Sequence, residues 1–478
     1  MTSAAALTQR AGTAPAGTPV GALLHRVLIA NRGEIAVRVI RACRSLGIES
    51  VVITSAAERD SMAAELADRA VCIGAAPASS SYLNIDAVLA AALGTGCDAI
   101  HPGYGFLSEN PGFARRCVEE GLVFLGPAPH IVAGTGDKAA ARAIADAAGV
   151  PVLAGSDITA SPDAAVAAAR RIGFPVIAKA VAGGGGRGMS VVADEEELRR
   201  RLPTAIAEAT AAFGDGRIYV EKFIGRARHI EVQLIGDKHG HVVHVGERDC
   251  SAQRRHQKVI EESPAPNIPD RTRSDIRTAA VQFGEAIDLD SAGTVEFVYD
   301  ADTQEFAFLE FNARIQVEHP VSEMVSGIDL VAEQIRVGAG LPLSFTQDDV
   351  RISGHAIEAR VMAESAAAGF RPTPGTISTW CPPSGIGIRV DTHCRPGVVI
   401  SPYYDSMIAK VIAHAPTREQ ALARLDAALS ELGVDGVTTT IDFTQFLLHE
   451  DTFRNAQMTT RWIDQTGIEK FRTILEKP

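Results

Sequence analysis

Residues 308–321 have the sequence FLEFNARIQVEHPV, in which charged and amide side chains alternate with apolar ones. Successive side chains of a β-strand point to opposite faces, so this alternation predicts a strand with one polar and one apolar face. The polar face, with Phe308 in step, would carry Glu310, Asn312, Arg314, Gln316 and Glu318. The apolar face would carry Phe311, Ala313, Ile315 and Val317 toward a core. A strand face covered with convergent charges and amides suits either a wall of a binding site or a face exposed to solvent.

Composition restricts the classes of function that this chain can serve. The 478 residues are 46% hydrophobic and 22% charged, which is typical of a globular protein with several domains. The formal charge of −12 argues against broad binding of nucleic acid, which requires a basic face. No apolar run is long enough to predict a membrane span. Seven cysteines without a C-x-x-C pair predict reduced thiols and a cytoplasmic protein.

The pattern of elements changes along the chain. Residues 1–25 are rich in alanine and threonine and predict a disordered tail, with an organellar transit peptide as the alternative. Strands then alternate with helices to about residue 135, which predicts a doubly wound parallel sheet. Short strands at close spacing follow and predict an antiparallel sheet. A last block from about residue 350 has further strands and a helix.

A glycine-rich loop, Gly183–Met189, lies between two predicted strands and contains Arg187. Glycines allow backbone N–H groups to approach an anion closely, so the loop favours phosphate binding. Lys179 precedes the loop on an apolar strand, where a phosphate would satisfy its charge. The alternatives are a hairpin loop without a ligand and a lysine that reaches water.

Two carboxylates are predicted to face one pocket. Glu296 lies in the apolar segment TVEFVYD, and the turn ADTQE connects this segment to the strand of Glu310. Carboxylates with an amide such as Asn312 suit a hard cation such as Mg²⁺. The alternative is a solvated polar strand face.

Two basic features of the sequence each allow two interpretations. Arg254, Arg255, His256 and Lys258 form a basic cluster that suits a small oxyanion, or else a solvated loop. Arg360 alternates with apolar residues in GHAIEARVMA and requires a partner, either a carboxylate or a ligand.

Six motifs occur in one order over most of the chain: IANRGEIA, HPGYGFLSEN, GGGGRGM, ERDCSAQRRHQK, EFNARIQVEHPV and YYDSMIAK. Together they closely resemble the biotin carboxylase family, the ATP-grasp component of biotin-dependent carboxylases. The resemblance spans about residues 26–470. It implies a mixed α/β and α+β fold in three parts. These are a Rossmann-like N-terminal domain over 26–137, an ATP-grasp domain over 138–350 with a mobile lid at about 153–225, and a C-terminal biotin carboxylase domain over 351–470.

The resemblance also implies roles for individual residues. ATP binding is implied for Lys138, Lys179, Gly184, Gly185, Gly186, Glu221, Lys222, Ile224, His229, Gln253 and His256. Metal binding is implied for Glu296 and Glu310, with Asn312 beside them. Bicarbonate binding is implied for Lys258, Arg314, Gln316, Val317 and Glu318, of which Glu318 would be the general base. Tyr104 and Arg360 would line the biotin pocket. The implied catalytic set is Glu318, Arg314, Lys258 and Arg360.

The implied reaction is ATP-dependent carboxylation of biotin by bicarbonate through carboxyphosphate, the first half-reaction of acetyl-CoA or another acyl-CoA carboxylase, with a role in fatty acid biosynthesis. ATP, Mg²⁺ or Mn²⁺, and biotin on a carrier protein would be required. No AMKM-like motif occurs, so the carrier and the carboxyltransferase are expected to be separate chains.

A homodimer is also implied: Arg41 and Arg389 match the family's subunit contact, although Ser45 replaces an acidic residue. The alternatives are another ATP-grasp ligase and a non-catalytic subunit. The second would be expected to lack Glu296, Glu310 or Glu318, all of which are present.

Overall fold

The computed structural model describes residues 19–156, 159, 161–180, 189–213 and 216–476. Gly184, Gly185 and Gly186, and most of the predicted tail, lie outside these residues. Three described segments form short 3₁₀ helices and one forms a π-helical turn: Val20–Ala22, Ala78–Ser80, Gln347–Asp349 and Ile463–Gly467.

The first sheet is parallel and has the strand order β3-β2-β1-β4-β5. Its strands are β1 (Arg26–Ile29), β2 (Glu49–Ser55), β3 (Arg69–Gly74), β4 (Ala99–His101) and β5 (Val123–Phe124). Its helices are α1 (Gly33–Ser45), α2 (Met62–Leu66), α3 (Ile85–Thr95), α4 (Pro111–Glu119) and α5 (Pro129–Thr135). In β1, Val27 and Ile29 join the core on one side, while Leu28 joins the core on the other. Both faces are therefore covered, as the predicted doubly wound sheet requires.

A small antiparallel sheet follows, with the order β7-β6-β8. The elements of this region are α6 (Lys138–Ala147), α7 (Pro162–Ile172), β6 (Val176–Ala180), β7 (Met189–Val192), α8 (Glu195–Phe213) and β8 (Ile218–Lys222). Helices α7 and α8 supply Val166, Leu198 and Leu202 to a core that β6 and β8 share. This core is separate from the others, which suits the lid predicted at about residues 153–225; its mobility stays a prediction.

The remaining strands are β9 (Ala227–Gly236), β10 (Val242–Arg254), β11 (Gln257–Ser263), β12 (Ala292–Asp300), β13 (Phe306–Asn312), β14 (His355–Met362), β15 (Glu364–Ser365), β16 (Arg371–Pro372), β17 (Gly375–Thr376), β18 (Thr379–Cys381), β19 (Ile388–Thr392), β20 (Val399–Ile400), β21 (Met407–Ala415) and β22 (Gly433–Asp435). The remaining helices are α9 (Asp270–Ala286), α10 (His319–Ser326), α11 (Leu330–Gly338), α12 (Arg418–Glu431), α13 (Ile441–His449), α14 (Asp451–Arg454) and α15 (Ile468–Leu475).

Eight of these strands form one antiparallel sheet with the order β13-β12-β9-β10-β11-β14-β21-β19. Strands β11 and β14 are neighbours in it, with Glu261 opposite Glu358. The sheet therefore continues across the boundary predicted at residues 350 and 351. Side chains from both parts of the chain consequently share one sheet face.

The prediction of a single strand over residues 308–321 is wrong beyond Asn312. Strand β13 ends at Asn312, residues 313–318 are neither strand nor helix, and α10 begins at His319. Pro320 lies in the first turn of α10, where a proline is favoured and a continued strand is not. Arg314, Gln316, Val317 and Glu318 therefore belong to a connecting segment.

The predicted alternation also fails at Leu309. Glu296 pairs with Glu310, but the next pair is Phe297 with Phe308, so Leu309 is an extra residue in β13. Such a bulge shifts the faces by one residue. Phe308 is therefore buried in the core rather than aligned with the polar face, and Leu309 is 42% exposed.

The bulge is stabilised by Phe283 of α9, whose ring lies 4.9 Å from Phe308 and 5.2 Å from Phe311. We expect Phe283→Ala to lower the free energy of unfolding by about 3–5 kcal/mol, because a large buried ring would leave a cavity. Chemical denaturation followed by circular dichroism measures this change. Leu309→Ala is the matched control and should cost less than about 0.5 kcal/mol, since Leu309 is on the surface. Equal losses in the two variants would contradict this account.

Candidate active site

Three carboxylates form a row across adjacent strands of the large sheet. The register places Glu231 of β9 opposite Glu296 of β12, and Glu296 opposite Glu310 of β13. Glu231 and Glu296 are buried, and Glu310 is half-buried. Register partners have side chains on the same face, so the three acidic groups converge. The sequence predicted the pairing of Glu296 with Glu310, but not Glu231.

Lys258 of β11 is the main counter-charge of this row. Its Nζ lies 2.5 Å from Glu231 and 3.1 Å from Glu296, and it also donates to Glu318. Burial lowers the pKa of Lys258, but the three surrounding carboxylates outweigh burial and hold the pKa well above its usual value. Lys258 is therefore an ammonium ion that contacts three carboxylates.

His229 and Arg248 are two further cationic partners of the carboxylate row. The His229 Nε2 atom lies 3.2 Å from Glu296 and 3.3 Å from Glu231. Burial opposes protonation, but Glu296 and Glu231 raise the pKa of His229 to about 9. Burial alone would raise the pKa of Glu296, but the neighbouring Lys258 and His229 lower it to about 2. Arg248 is fully buried and donates to Glu231 over 2.6 Å.

The connecting segment 313–318 still turns its polar side chains toward this row. The Arg314 guanidinium donates to Asn312 over 3.1 Å and to Gln316 over 3.0 Å, and Gln316 donates to Glu296 over 3.4 Å. Asn312 also donates to Glu296 over 3.0 Å. Glu109, from the loop before α4, accepts a bond from Arg314 over 2.9 Å. The polar groups therefore converge by a bent path rather than along a strand.

Glu318 lies between two cations. It is fully buried, and one oxygen accepts a bond from Lys258 while the other accepts a bond from Arg360 over 3.0 Å. Arg360 of β14 also donates to Glu261 of β11 over 2.6 Å. Burial raises the pKa of Glu261 to about 7, although Arg360 counteracts this. The fixed position of Arg360 thus depends on carboxylates from two elements.

Tyr104 approaches the same region from the N-terminal sheet. Its hydroxyl donates to Glu34, whose Oε1 also lies 3.1 Å from the Lys410 ammonium. Burial and Glu34 raise the pKa of Tyr104 well above its usual value, so it stays a hydrogen-bond donor. Lys410 is the register partner of Arg360 on β21. The two residues predicted to line a biotin pocket therefore lie beside one network.

Among the residues predicted to bind nucleotide, His229 and Lys138 contact the row, while Lys179, Glu221 and Lys222 lie on the small sheet. Lys138, at the start of α6, contacts Glu310 over 2.7 Å, and Lys179 on β6 contacts Glu221 over 2.5 Å. The other described members are placed as follows: Lys222 donates to the carbonyls of Gly173 and Phe174, Ile224 lies between β8 and β9, Gln253 is buried on β10 and donates to Cys250, and His256 is exposed on the turn after β10.

Models of known protein families match this chain in all three parts of the fold. Residues 23–132 match the model of the biotin carboxylase N-terminal domain, residues 137–346 the ATP binding domain of the carbamoyl-phosphate synthase L chain, and residues 358–465 the biotin carboxylase C-terminal domain. Biotin carboxylase 1 of Bacillus subtilis is 48% identical over 443 residues, which are 92% of this chain and 98% of the relative.

Solved structures superpose over nearly the whole chain. A biotin carboxylase–β,γ-ATP complex from Campylobacter jejuni has a TM-score of 0.86 at 45% identity, covering 93% of this chain and 100% of that one. The biotin carboxylase domain of 2-oxoglutarate carboxylase from Hydrogenobacter thermophilus, a dimer in complex with MgADP, ADP and bicarbonate, has a TM-score of 0.84 at 45% identity, covering 92% and 97%. The predicted three-part fold and the predicted resemblance are confirmed: this chain belongs to the biotin carboxylase family.

Proposed function

We propose that this protein carboxylates biotin with bicarbonate and ATP, through carboxyphosphate, and releases ADP and phosphate. The observation that carries the proposal is Glu318, a buried carboxylate held between Lys258 and Arg360 beside the row of Glu231, Glu296 and Glu310. This geometry offers a base, a group of cations for an anion and a group of carboxylates for a cation close together at one face of the large sheet. The non-catalytic alternative predicts the loss of Glu296, Glu310 or Glu318, and all three residues are present.

The donor set suits a hard divalent cation. Glu296 and Glu310 are register partners, and each offers carboxylate oxygens as ligand atoms. The Asn312 amide lies beside them, and the low pKa of Glu296 keeps its carboxylate ionised. We assign Mg²⁺ or Mn²⁺ to Glu296 and Glu310, with Asn312 adjacent. The cation would neutralise charge on the ATP phosphates.

Lysines that now contact carboxylates would hold the phosphates. Lys138 contacts Glu310 of the row, and Lys179 contacts Glu221 on the small sheet. Transfer of Lys138 from Glu310 to a phosphate oxygen would free this carboxylate for the cation. We assign the glycine loop at 184–186 to the same phosphates, and Glu221, Lys222, Ile224, His229, Gln253 and His256 to the nucleotide pocket.

Bicarbonate fits the corner formed by Lys258, Arg314, Gln316 and Val317. Glu318 takes the O–H proton of bicarbonate, and the resulting dianion attacks the γ-phosphorus of ATP. An O–P bond forms and the bond to ADP breaks, which gives carboxyphosphate. This product splits into CO₂ and phosphate, and the phosphate removes the ureido N–H proton of biotin. Arg360 stabilises the enolate-like anion, whose nitrogen captures CO₂.

The proposed partner proteins rest on the family to which the chain belongs. We propose that biotin is presented by a separate carrier protein, that a separate carboxyltransferase uses carboxybiotin, and that the enzyme works as a cytoplasmic homodimer. All seven cysteines are free thiols, which suits a reducing compartment. Within the described part of the chain, no helix is both long and apolar enough to cross a membrane. The acyl-CoA acceptor is chosen by the carboxyltransferase.

ATP turnover tests the proposed function directly. The purified chain with Mg²⁺ should release ADP only when bicarbonate is present, faster with free biotin, and N-carboxybiotin should form. The measurement is coupled detection of ADP together with incorporation of labelled bicarbonate into biotin. ADP release that depends on an amino acid or on ammonia, and not on biotin, would identify another ATP-grasp ligase instead.

A further inference from the structure

Lys410 is a buried charge outside the set of residues that the family resemblance assigns to substrates. It lies in the middle of β21 with a side chain that is 0% exposed. Its neighbours across the sheet are Arg360 on β14 and Asp391 on β19. Burying an ammonium ion is costly unless it is paired and hydrogen-bonded, so such a residue requires an explanation.

The ammonium group of Lys410 contacts three separate parts of the protein. It donates to the carbonyl of Val317 over 2.8 Å, lies 3.1 Å from Glu34, and lies 3.9 Å from Asp391. Val317 belongs to the connecting segment 313–318, and Glu34 lies in the first turn of α1. Burial lowers the pKa of Lys410, but Glu34, Glu358 and Asp391 outweigh burial and raise it. Lys410 therefore donates as a cation.

The contact with Val317 matters because of the backbone at that point. Residues 313–318 belong to neither a strand nor a helix, so no regular ladder fixes them. The same six residues carry Arg314, Gln316 and Glu318, and the carbonyl that Lys410 holds directly precedes Glu318. A charge-assisted hydrogen bond to this carbonyl fixes the segment more firmly than a neutral bond would.

We propose that Lys410 is a positioning residue that fixes the segment 313–318 and thereby sets the place of Glu318 and of the bicarbonate-binding side chains. The proposal rests on the proposed function of that segment. Through Glu34, which also accepts the bond from Tyr104, the same ammonium group joins the base to the predicted biotin pocket. Lys410 touches none of the groups assigned to ATP, so its effect should be confined to bicarbonate and biotin.

The test is Lys410→Met in the full chain, since methionine keeps the length of the apolar stem and removes the ammonium. We expect the KM for bicarbonate to rise at least tenfold and kcat for bicarbonate-dependent ATP cleavage to fall by about 10²-fold, because a small displacement of reacting groups has such an effect. The KM for ATP and the affinity for ADP should change less than twofold. A merely structural role would weaken all of these constants together.

Lys238→Met is the matched control. Lys238 also donates to a backbone carbonyl, that of Gly338 over 2.9 Å, but this contact is with α11 and not with the segment 313–318. Its kinetic constants should equal those of the unmodified protein. If Lys410→Met fails to fold, as judged by its circular dichroism spectrum, Lys410→Gln retains an N–H donor without the charge and should show the same division in milder form.

The outcomes separate the two proposals. An unmodified protein without bicarbonate-dependent ATP cleavage would contradict the proposed function itself. An active protein in which Lys410→Met, or Lys410→Gln in its place, leaves the bicarbonate KM unchanged would contradict the role of Lys410. Equal changes in the constants for ATP and bicarbonate would contradict it as well.

Discussion

Glu318→Gln is expected to slow bicarbonate-dependent ATP cleavage severely while ATP still binds. Both oxygens of Glu318 accept bonds from cations, Lys258 and Arg360, and its side chain is fully buried. Glutamine keeps the shape but cannot accept the bicarbonate proton. The turnover should fall by about 10²- to 10⁴-fold, the contribution of a general base. Steady-state ADP release and calorimetric titration with ATP measure the two quantities.

Glu262→Gln is the matched control for this change. Glu262 is also buried and paired with two basic groups, since Arg418 and His355 each lie 2.7 Å from its carboxylate. It is next to Glu261 on β11 and on the opposite face from the site. Its replacement should lower stability but leave turnover within a fewfold range. If Glu318→Gln turns over normally, or if it loses ATP binding in parallel, the base assignment fails.

The sequence predicted the elements that depend on local pattern. The strand ESVVITS corresponds to β2, and the turn ADTQE places Glu296 opposite Glu310. These features depend on apolar periodicity and on short connections, which a single sequence displays directly. The doubly wound parallel sheet followed for the same reason.

The sequence could not show where alternation stops. The bulge at Leu309 accompanies the burial of Phe308 and Phe311, both of which pack against Phe283, more than twenty residues earlier. The segment 313–318 leaves the strand before α10, and its Val317 carbonyl accepts a hydrogen bond from Lys410, nearly a hundred residues later. Both are tertiary effects that override local propensity.

Several functional neighbours were also missed. Glu109, Glu261 and Lys410 reach the site from distant parts of the chain. Glu109 and Lys410 lie in the motifs HPGYGFLSEN and YYDSMIAK, which carry the resemblance without indicating these contacts, and nothing in the local sequence of Glu261 indicates a partner. Glu231 is different, because His229, Glu231 and Gln233 alternate with apolar residues in β9. A polar face on a buried strand was the signal that could have identified the third carboxylate of the row.

Arg360→Met should strongly slow the carboxylation of free biotin and leave ATP binding unchanged. Arg360 donates hydrogen bonds to both Glu261 and Glu318. It is also the register partner of Lys410, which lies in one network with Glu34 and Tyr104. Loss of a donor that stabilises a developing anion lowers a rate by about 10²- to 10³-fold. Labelled bicarbonate incorporated into biotin gives the rate, and titration with ATP gives the affinity.

The matched control is Arg418→Met, which removes an arginine from a second buried pair, with Glu262. Each replacement removes one cationic partner from a buried carboxylate, and each should destabilise the protein, by up to about 3–5 kcal/mol. Only Arg360→Met should change the carboxylation rate per folded molecule. Arg360→Lys separates charge from geometry, because a single ammonium cannot reproduce the planar fork that bonds Glu261 and Glu318 at once. Full activity in Arg360→Lys would mean that the positive charge alone suffices, and full activity in Arg360→Met would refute the assignment of this residue to biotin.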